Sequence, residues 1–212
     1  MKHRNYIHVF SVLLLLVVLT AGVPASAQTS PSATPSVADR TILRLYAPFT
    51  DMGGSVSVGL AITEKLNGTC FAGSVSDVAR ADAFRCMAGN RILDPCFVPN
   101  PTATVLLCVA EPISKANVVQ LTITGGLPTA NKTVTFDKAL PWALELANGQ
   151  TCQLLTGATS AIADLRVNYG CDRGDGLAVI GDPDRAYPLW TIFVRGPKDF
   201  FAEQVPITVA WY

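Results

Sequence analysis

From residue 40 onward the chain runs through one series of landmarks twice. The first pass reads Asn67-Gly68-Thr69-Cys70, Phe84-Arg85-Cys86, Gly89, Asp94-Pro95 and Pro112, and closes on the alternating run Val119-Gln120-Leu121-Thr122-Ile123-Thr124. The second reads Asn148-Gly149-Gln150-Thr151-Cys152, Tyr169-Gly170-Cys171, Gly174, Asp182-Pro183 and Pro197, and closes on Val205-Pro206-Ile207-Thr208-Val209-Ala210-Trp211. Landmarks repeated in order are the mark of tandem copies of one structural unit. Between them every second residue tends to be large and apolar, as in Val56 to Ile62 and in Trp142, Leu144 and Leu146. That period belongs to strands with one buried face. The predicted fold class is therefore all-β, with two tandem related small units, 40–125 and 126–212, each barrel- or sandwich-like.

Local chemistry refines the expectation. Asn67-Gly68 and Asn148-Gly149 sit between apolar flanks and predict tight type I′ hairpins, because both residue types tolerate positive φ. Asp94-Pro95 and Asp182-Pro183 are turn-starting dipeptides and predict connections between strands. Ser76–Ala83 and Ala158–Leu165 have mixed character and predict one or two helical turns each. Pro206 lacks a donor and sends the last strand to a sheet edge. Gly125 to Thr129 is the expected link between copies.

All six cysteines, Cys70, Cys86, Cys96, Cys108, Cys152 and Cys171, follow the apolar N-terminal segment. An even count in an exported chain reads as three disulfides, which spacing alone leaves in any of about 15 connectivities. The repeat selects Cys70 with Cys86 and Cys152 with Cys171, leaving Cys96 with Cys108 as an extra staple in the first copy. Each would close a short local loop, contributing about 3 kcal/mol in the chain-entropy model. A unit of this size buries little more than about 60% of its unfolded surface, so staples are physically sensible. No Cys-x-x-Cys is present, which argues against a redox or metal role.

Residues 1–27 have the three-part form of a secretory leader: Lys2 and Arg4, an apolar run from Val9 to Val23, and the small residues Ala25-Ser26-Ala27. The expectation is cleavage near Ala27, without membrane insertion of the mature chain. Residues 28–39 are rich in Ser, Thr and Pro and read as a flexible tether. Both histidines, His3 and His8, lie in the leader. The mature chain then has no histidine-dependent catalysis and no histidine-ligated zinc. All 16 acidic residues follow the leader while two of the 16 basic ones lie within it, so the mature chain carries two more acids than bases. Without a basic cluster, nucleic acid is not an expected partner.

Few constellations carry chemistry. Asp172, Asp175, Asp182 and Asp184 crowd two short loops and would suit calcium, although solvated turns explain them as well, and neither a metal nor a cofactor is expected. Glu145 with Asp172 or Asp175 is the pairing a glycosidase would use. Ser114-Lys115 are adjacent and so point apart on a strand, poorly placed for a dyad. Trp142, Trp190, Trp211 and Tyr212 lie in alternating strands and are expected in the core. Tyr187, beside the second Asp-Pro, is the aromatic expected at the surface. Phe97 to Thr104, braced by prolines near a disulfide, would be the loop of a peptidase inhibitor.

The strings Ala83-Phe84-Arg85-Cys86-Met87 to Asp94-Pro95-Cys96-Phe97, and Pro141-Trp142-Ala143-Leu144-Glu145-Leu146 to Asn168-Tyr169-Gly170-Cys171, resemble those of exported bacterial proteins with no assigned activity. The resemblance spans most of residues 67–171 and implies export and disulfides. The functional expectation is a secreted, non-catalytic binding or structural module of the bacterial envelope or extracellular space. It would contact an extracellular protein or glycan near Asp172, Asp175, Asp182, Asp184 and Tyr187. The alternative is a glycosidase-like hydrolase using two carboxylates.

Overall fold

Period-two patterning becomes strands throughout: among the described residues every regular element is β, thirteen in all. The computed structural model describes residues 39–212 except 76–79, 111–115, 130–133 and 172–175. The expected leader, the tether up to residue 38 and Ser114-Lys115 lie outside them, as do most of the first predicted helical turn and the acids Asp172 and Asp175.

A short strand β1 (Ile42–Arg44) precedes a closed barrel of β2 (Ala61–Gly73), β3 (Ala83–Ala88), β4 (Arg91–Phe97), β5 (Val105–Val109) and β6 (Asn117–Ile123). Each strand pairs antiparallel with the next, and β6 closes on β2 in parallel. The second barrel contains β7 (Ala143–Leu146), β8 (Thr151–Leu154), β9 (Ala161–Ile162), β10 (Leu165–Cys171), β11 (Ala178–Asp184), β12 (Thr191–Arg195) and β13 (Glu203–Trp211). Six of these, β7, β8, β10, β11, β12 and β13, form the closed meander, and β13 returns antiparallel to β7. The different closures follow from strand count. Direction alternates along a meander, so first and last strands run parallel when the number is odd and antiparallel when it is even.

The two barrels are similar units, each with a disulfide across neighbouring strands, the first and second strands in one barrel and the second and third in the other. Cys70 faces Cys86 across β2 and β3, and Cys152 faces Cys171 across β8 and β10, each pair in direct register. Cys96 and Cys108 are opposed on β4 and β5. All three pairings are those the repeated landmarks predict.

The interior of the first barrel holds Phe84, Cys86, Leu93, Cys96, Leu106, Cys108, Val119, Leu121 and Ile123. Alternate residues of the same strands, Ala83, Phe97, Leu107, Val109 and Val118, pack outward into a core shared with Trp142, Leu144, Tyr169 and Ile207 of the second barrel. Burial on both faces explains why Val105-Leu106-Leu107-Cys108-Val109 is continuously apolar instead of alternating. The strand that precedes the first barrel joins the sheet of the second: β1 pairs in parallel with Val209–Trp211 of β13, opposite the edge held by β7. Where β12 gives way to β1 along that edge, the buried Thr41 hydroxyl donates to Ile207 O at 2.7 Å and accepts from Trp190 N at 2.8 Å.

Several local expectations are corrected. Asn67-Gly68 forms no hairpin and lies inside β2, because a Cβ on Gly68 would sit 2.1 Å from Met87 O of β3. The glycine permits close approach of two strands. Asn148-Gly149 does turn, but as the three-residue loop Ala147–Gly149 with only Gly149 at positive φ (80°). This is the G1-bulge form of hairpin. Asp94-Pro95 lies within β4 and Asp182-Pro183 within β11, where the ladder shifts register between Ile180 and Asp184. A bulge accommodates the missing donor. The expected second helical turn is the hairpin β9–β10, turned by Ala163 and Asp164, both at positive φ. Pro206 is not on an edge, since β13 is paired on both sides. Its carbonyl accepts from Ala147 N, so the missing N–H points into the Ala147–Gly149 turn.

Candidate functional site

Chain reversals on the first barrel carry the concave surface. The β4–β5 loop, Val98 to Thr104, is anchored by the Cys96–Cys108 disulfide at its base. It is shaped by Asn100, whose Oδ1 accepts from Thr102 N at 3.0 Å and from Thr102 Oγ1 at 2.9 Å. Asn100 Nδ2 donates to Met52 O at 2.8 Å, tying this loop to the turn before β2. That turn is held in place by Asp51, whose Oδ1 accepts from Ser55 N at 3.1 Å, and by the Phe49–Val56 bridge. The loop is thus tethered at its base by the disulfide and at Asn100 by the turn before β2, with Pro101 and Thr102 exposed at its tip.

Between these loops and the Gly126–Thr129 segment runs a groove of about 450 Å³. Its floor is Phe84 and Val98, 4% and 5% exposed. Its walls are Ala81, Pro99, Pro101, Leu127 and Pro128, with Met52 standing 70% exposed at the lip. Asp82 and Asn100 are the polar members. Two further hollows, of about 230 Å³ and 470 Å³, continue past Met52 and Pro99 toward Asp51 and Gln120. Apolar lining with few polar groups is the usual make-up of a binding cleft.

The charged rim is preorganised. Arg80 forms a two-pronged ion pair with Asp82, Nε to Oδ1 at 2.6 Å and Nη2 to Oδ2 at 2.7 Å. The same guanidinium lies over the Phe97 ring at 4.4 Å and donates to the carbonyls of Tyr46 and Tyr212. Arg80 therefore fastens the groove's edge to the last strand of the second barrel. Both Asp82 carboxylate oxygens are engaged by this pair. Hydrogen bonds from Ser55 hold the exposed Asp51 carboxyl below the ordinary carboxylate range.

A buried carboxylate lies under the same sheet. Ser74 Oγ donates to Asp94 Oδ1 at 2.5 Å, Val75 N donates to Oδ2 at 3.1 Å, and Arg85 Nε lies 3.9 Å from Oδ2. Burial raises the Asp94 pKa, and the Ser74, Val75 and Arg85 contacts oppose the rise. Arg85 also donates to Thr156 O at 2.9 Å, joining the barrels at a second point.

The residues singled out from sequence fall elsewhere. Asp182 is exposed and accepts from Asn168 Nδ2 at 2.8 Å, and Asp184 caps its own turn by accepting from Ala186 N at 3.0 Å. Tyr187 is 74% exposed on the following loop. Glu145 accepts from Trp211 Nε1 at 2.8 Å, and Asp172 and Asp175 lie outside the described residues. No group of three or more metal-ligating side chains gathers among the described residues. Sequence reasoning missed the groove because its parts come from four separated stretches. Its local signals were read for other purposes: Pro99 and Pro101 as bracing an inhibitor-type loop, and Pro128 as part of the link between copies. Comparison with protein-family models, curated proteins and solved structures finds no match to this chain.

Proposed function

We propose that this protein is an exported, non-catalytic binding module of the cell envelope or its surroundings, and that it holds an apolar polypeptide segment in the groove between Met52, Phe84, Pro99 and Leu127. The observation that carries the reading is the groove itself: apolar walls on loops fixed by Asn100, a disulfide and the Arg80–Asp82 pair. Preorganised walls lower the ordering cost of binding. Export is supported by the leader-like N-terminus together with three disulfides, which persist in oxidising compartments.

Titration with the apolar dye 8-anilinonaphthalene-1-sulfonate tests this. The folded protein should enhance its fluorescence saturably, and Ala81→Trp, which fills the groove from an exposed position, should weaken dye affinity about tenfold, roughly 1.4 kcal/mol. Equal affinity in both proteins would overturn the reading.

A further inference from the structure

The β12–β13 loop carries the most conspicuous unsatisfied surface of the second barrel. Phe200 and Phe201 are adjacent and 92% and 84% exposed. The loop behind them is not slack. Gly196 N donates to Asp199 Oδ2 at 2.9 Å, Asp199 N donates to Gly196 O at 3.2 Å, and Arg195 Nε donates to Asp199 O at 2.8 Å. A braced turn that presents two whole phenyl rings to water is a built feature, since single exposed apolar residues are common but an adjacent fully exposed pair is not.

We propose that these two rings are the apolar segment the groove receives, supplied by a second copy of this chain. The inference rests on the groove being a binding site and names its occupant. Size agrees: a cavity of about 150 Å³ holds one benzene, and the groove offers about 450 Å³. Charge agrees too. Exposed Lys198 lies two positions before the rings, the intervening Asp199 carboxylate being held by Gly196 N. Exposed Asp51 lies in the hollow continuing from the groove, where Arg80 is already paired with Asp82. The rings do not fill the groove of their own chain, because they are solvated. Knob and groove are different surfaces, one on each barrel, so the contact is heterologous. Such contacts propagate head to tail unless rotation closes them into a ring.

The test is sedimentation equilibrium on three forms of the exported protein: the native sequence, F200S/F201S, which keeps the groove, and Ala81→Trp, which keeps the rings. Pro101→Arg, at an exposed groove position, serves as a second blocked form should Ala81→Trp not fold. The native protein should gain mass with concentration, and each variant alone should associate at least about 30-fold more weakly, the factor for losing one strong contact side chain. An equimolar mixture of ring-less and groove-blocked forms should make a one-to-one dimer and stop there. A native protein that stays monomeric while its groove still takes up the dye would overturn the second-copy assignment and leave the groove reading standing. Failure of both would overturn both. Association untouched by F200S/F201S, or monomers whose rings instead bind vesicles of phosphatidylglycerol and phosphatidylethanolamine, would also overturn it.

Discussion

Tyr46 meets Trp142 edge to face, with ring centroids 5.3 Å apart, and the same tyrosine lies against Phe97 at 5.4 Å. One ring from the segment after β1 thus bridges the outer wall of the first barrel and the entry to the second. Its hydroxyl is buried without a hydrogen-bond partner among the described residues, as is Trp142 Nε1. Removing an unsatisfied buried hydroxyl costs nothing in lost bonds, so Tyr46→Phe should be neutral or stabilising by up to about 1 kcal/mol. Tyr46→Ala should cost about 3–5 kcal/mol. Urea denaturation of the three proteins checks the contrast, and a Tyr46→Phe midpoint well below native would contradict it.

Burial pushes the Tyr46 pKa up to about 12. A tyrosine raised from its usual value near 10 favours folding while neutral, so its contribution is intact below about pH 10 and is lost as pH rises toward about 12. Absorbance titration at 295 nm should show a late step, near about pH 12, that is absent from Tyr46→Phe.

Asp94 gives a second, lower window. Its folded pKa is raised, so the native state binds the proton more tightly than the unfolded chain does. The sign follows: this term is most favourable in acid and declines as pH climbs from the ordinary carboxylate value of about 4 through the raised one. Asp94→Asn removes the titration and mismatches one of the donors from Ser74 and Val75, costing about 1–3 kcal/mol. The gap between native and variant urea midpoints should therefore narrow as pH rises across that window. A widening gap would contradict the assignment.

Gly68→Ala places a methyl 2.1 Å from Met87 O, a backbone atom of the paired strand that cannot swing aside, and 3.0 Å from Leu121 Cδ1. The expected loss is about 3 kcal/mol or more, read as a fall in melting temperature. Gly126→Ala meets nothing within 4 Å and should be near neutral.

Thr41→Val keeps the side-chain shape and deletes both hydrogen bonds at the splice between β12 and β1. The cost should be about 1–3 kcal/mol, because Trp190 N and Ile207 O lose the hydroxyl that links them. Hydrogen exchange should quicken first at Trp190 and along β1.

What could be read from the residues, and what could not, divides on locality. The strand content followed from period two, and the staples followed because a repeat turns an ambiguous count into matched pairs. Turn chemistry failed at Gly68, where the need was close approach and not reversal, and at Pro95 and Pro183, where bulges absorb a residue that ordinarily ends a strand. Pro206 misled for a related reason: its missing donor points at a turn, a fact that only the closure of β13 on β7 supplies. The groove was illegible because Met52, Phe84, Pro99 and Leu127 share no local pattern, and meet only when the first barrel closes. Asp182, Asp184 and Tyr187 were chosen for their place beside the second Asp-Pro, and the structure gives the two carboxylates local hydrogen bonds.

Hydrogen–deuterium exchange of the protein with and without saturating 8-anilinonaphthalene-1-sulfonate tests the binding account most directly. Slowed exchange confined to Asp82, Val98, Asn100, Thr102 and Ala103 is the predicted result. Protection centred on Asp182 to Tyr187, with the β4–β5 loop unchanged, would contradict it.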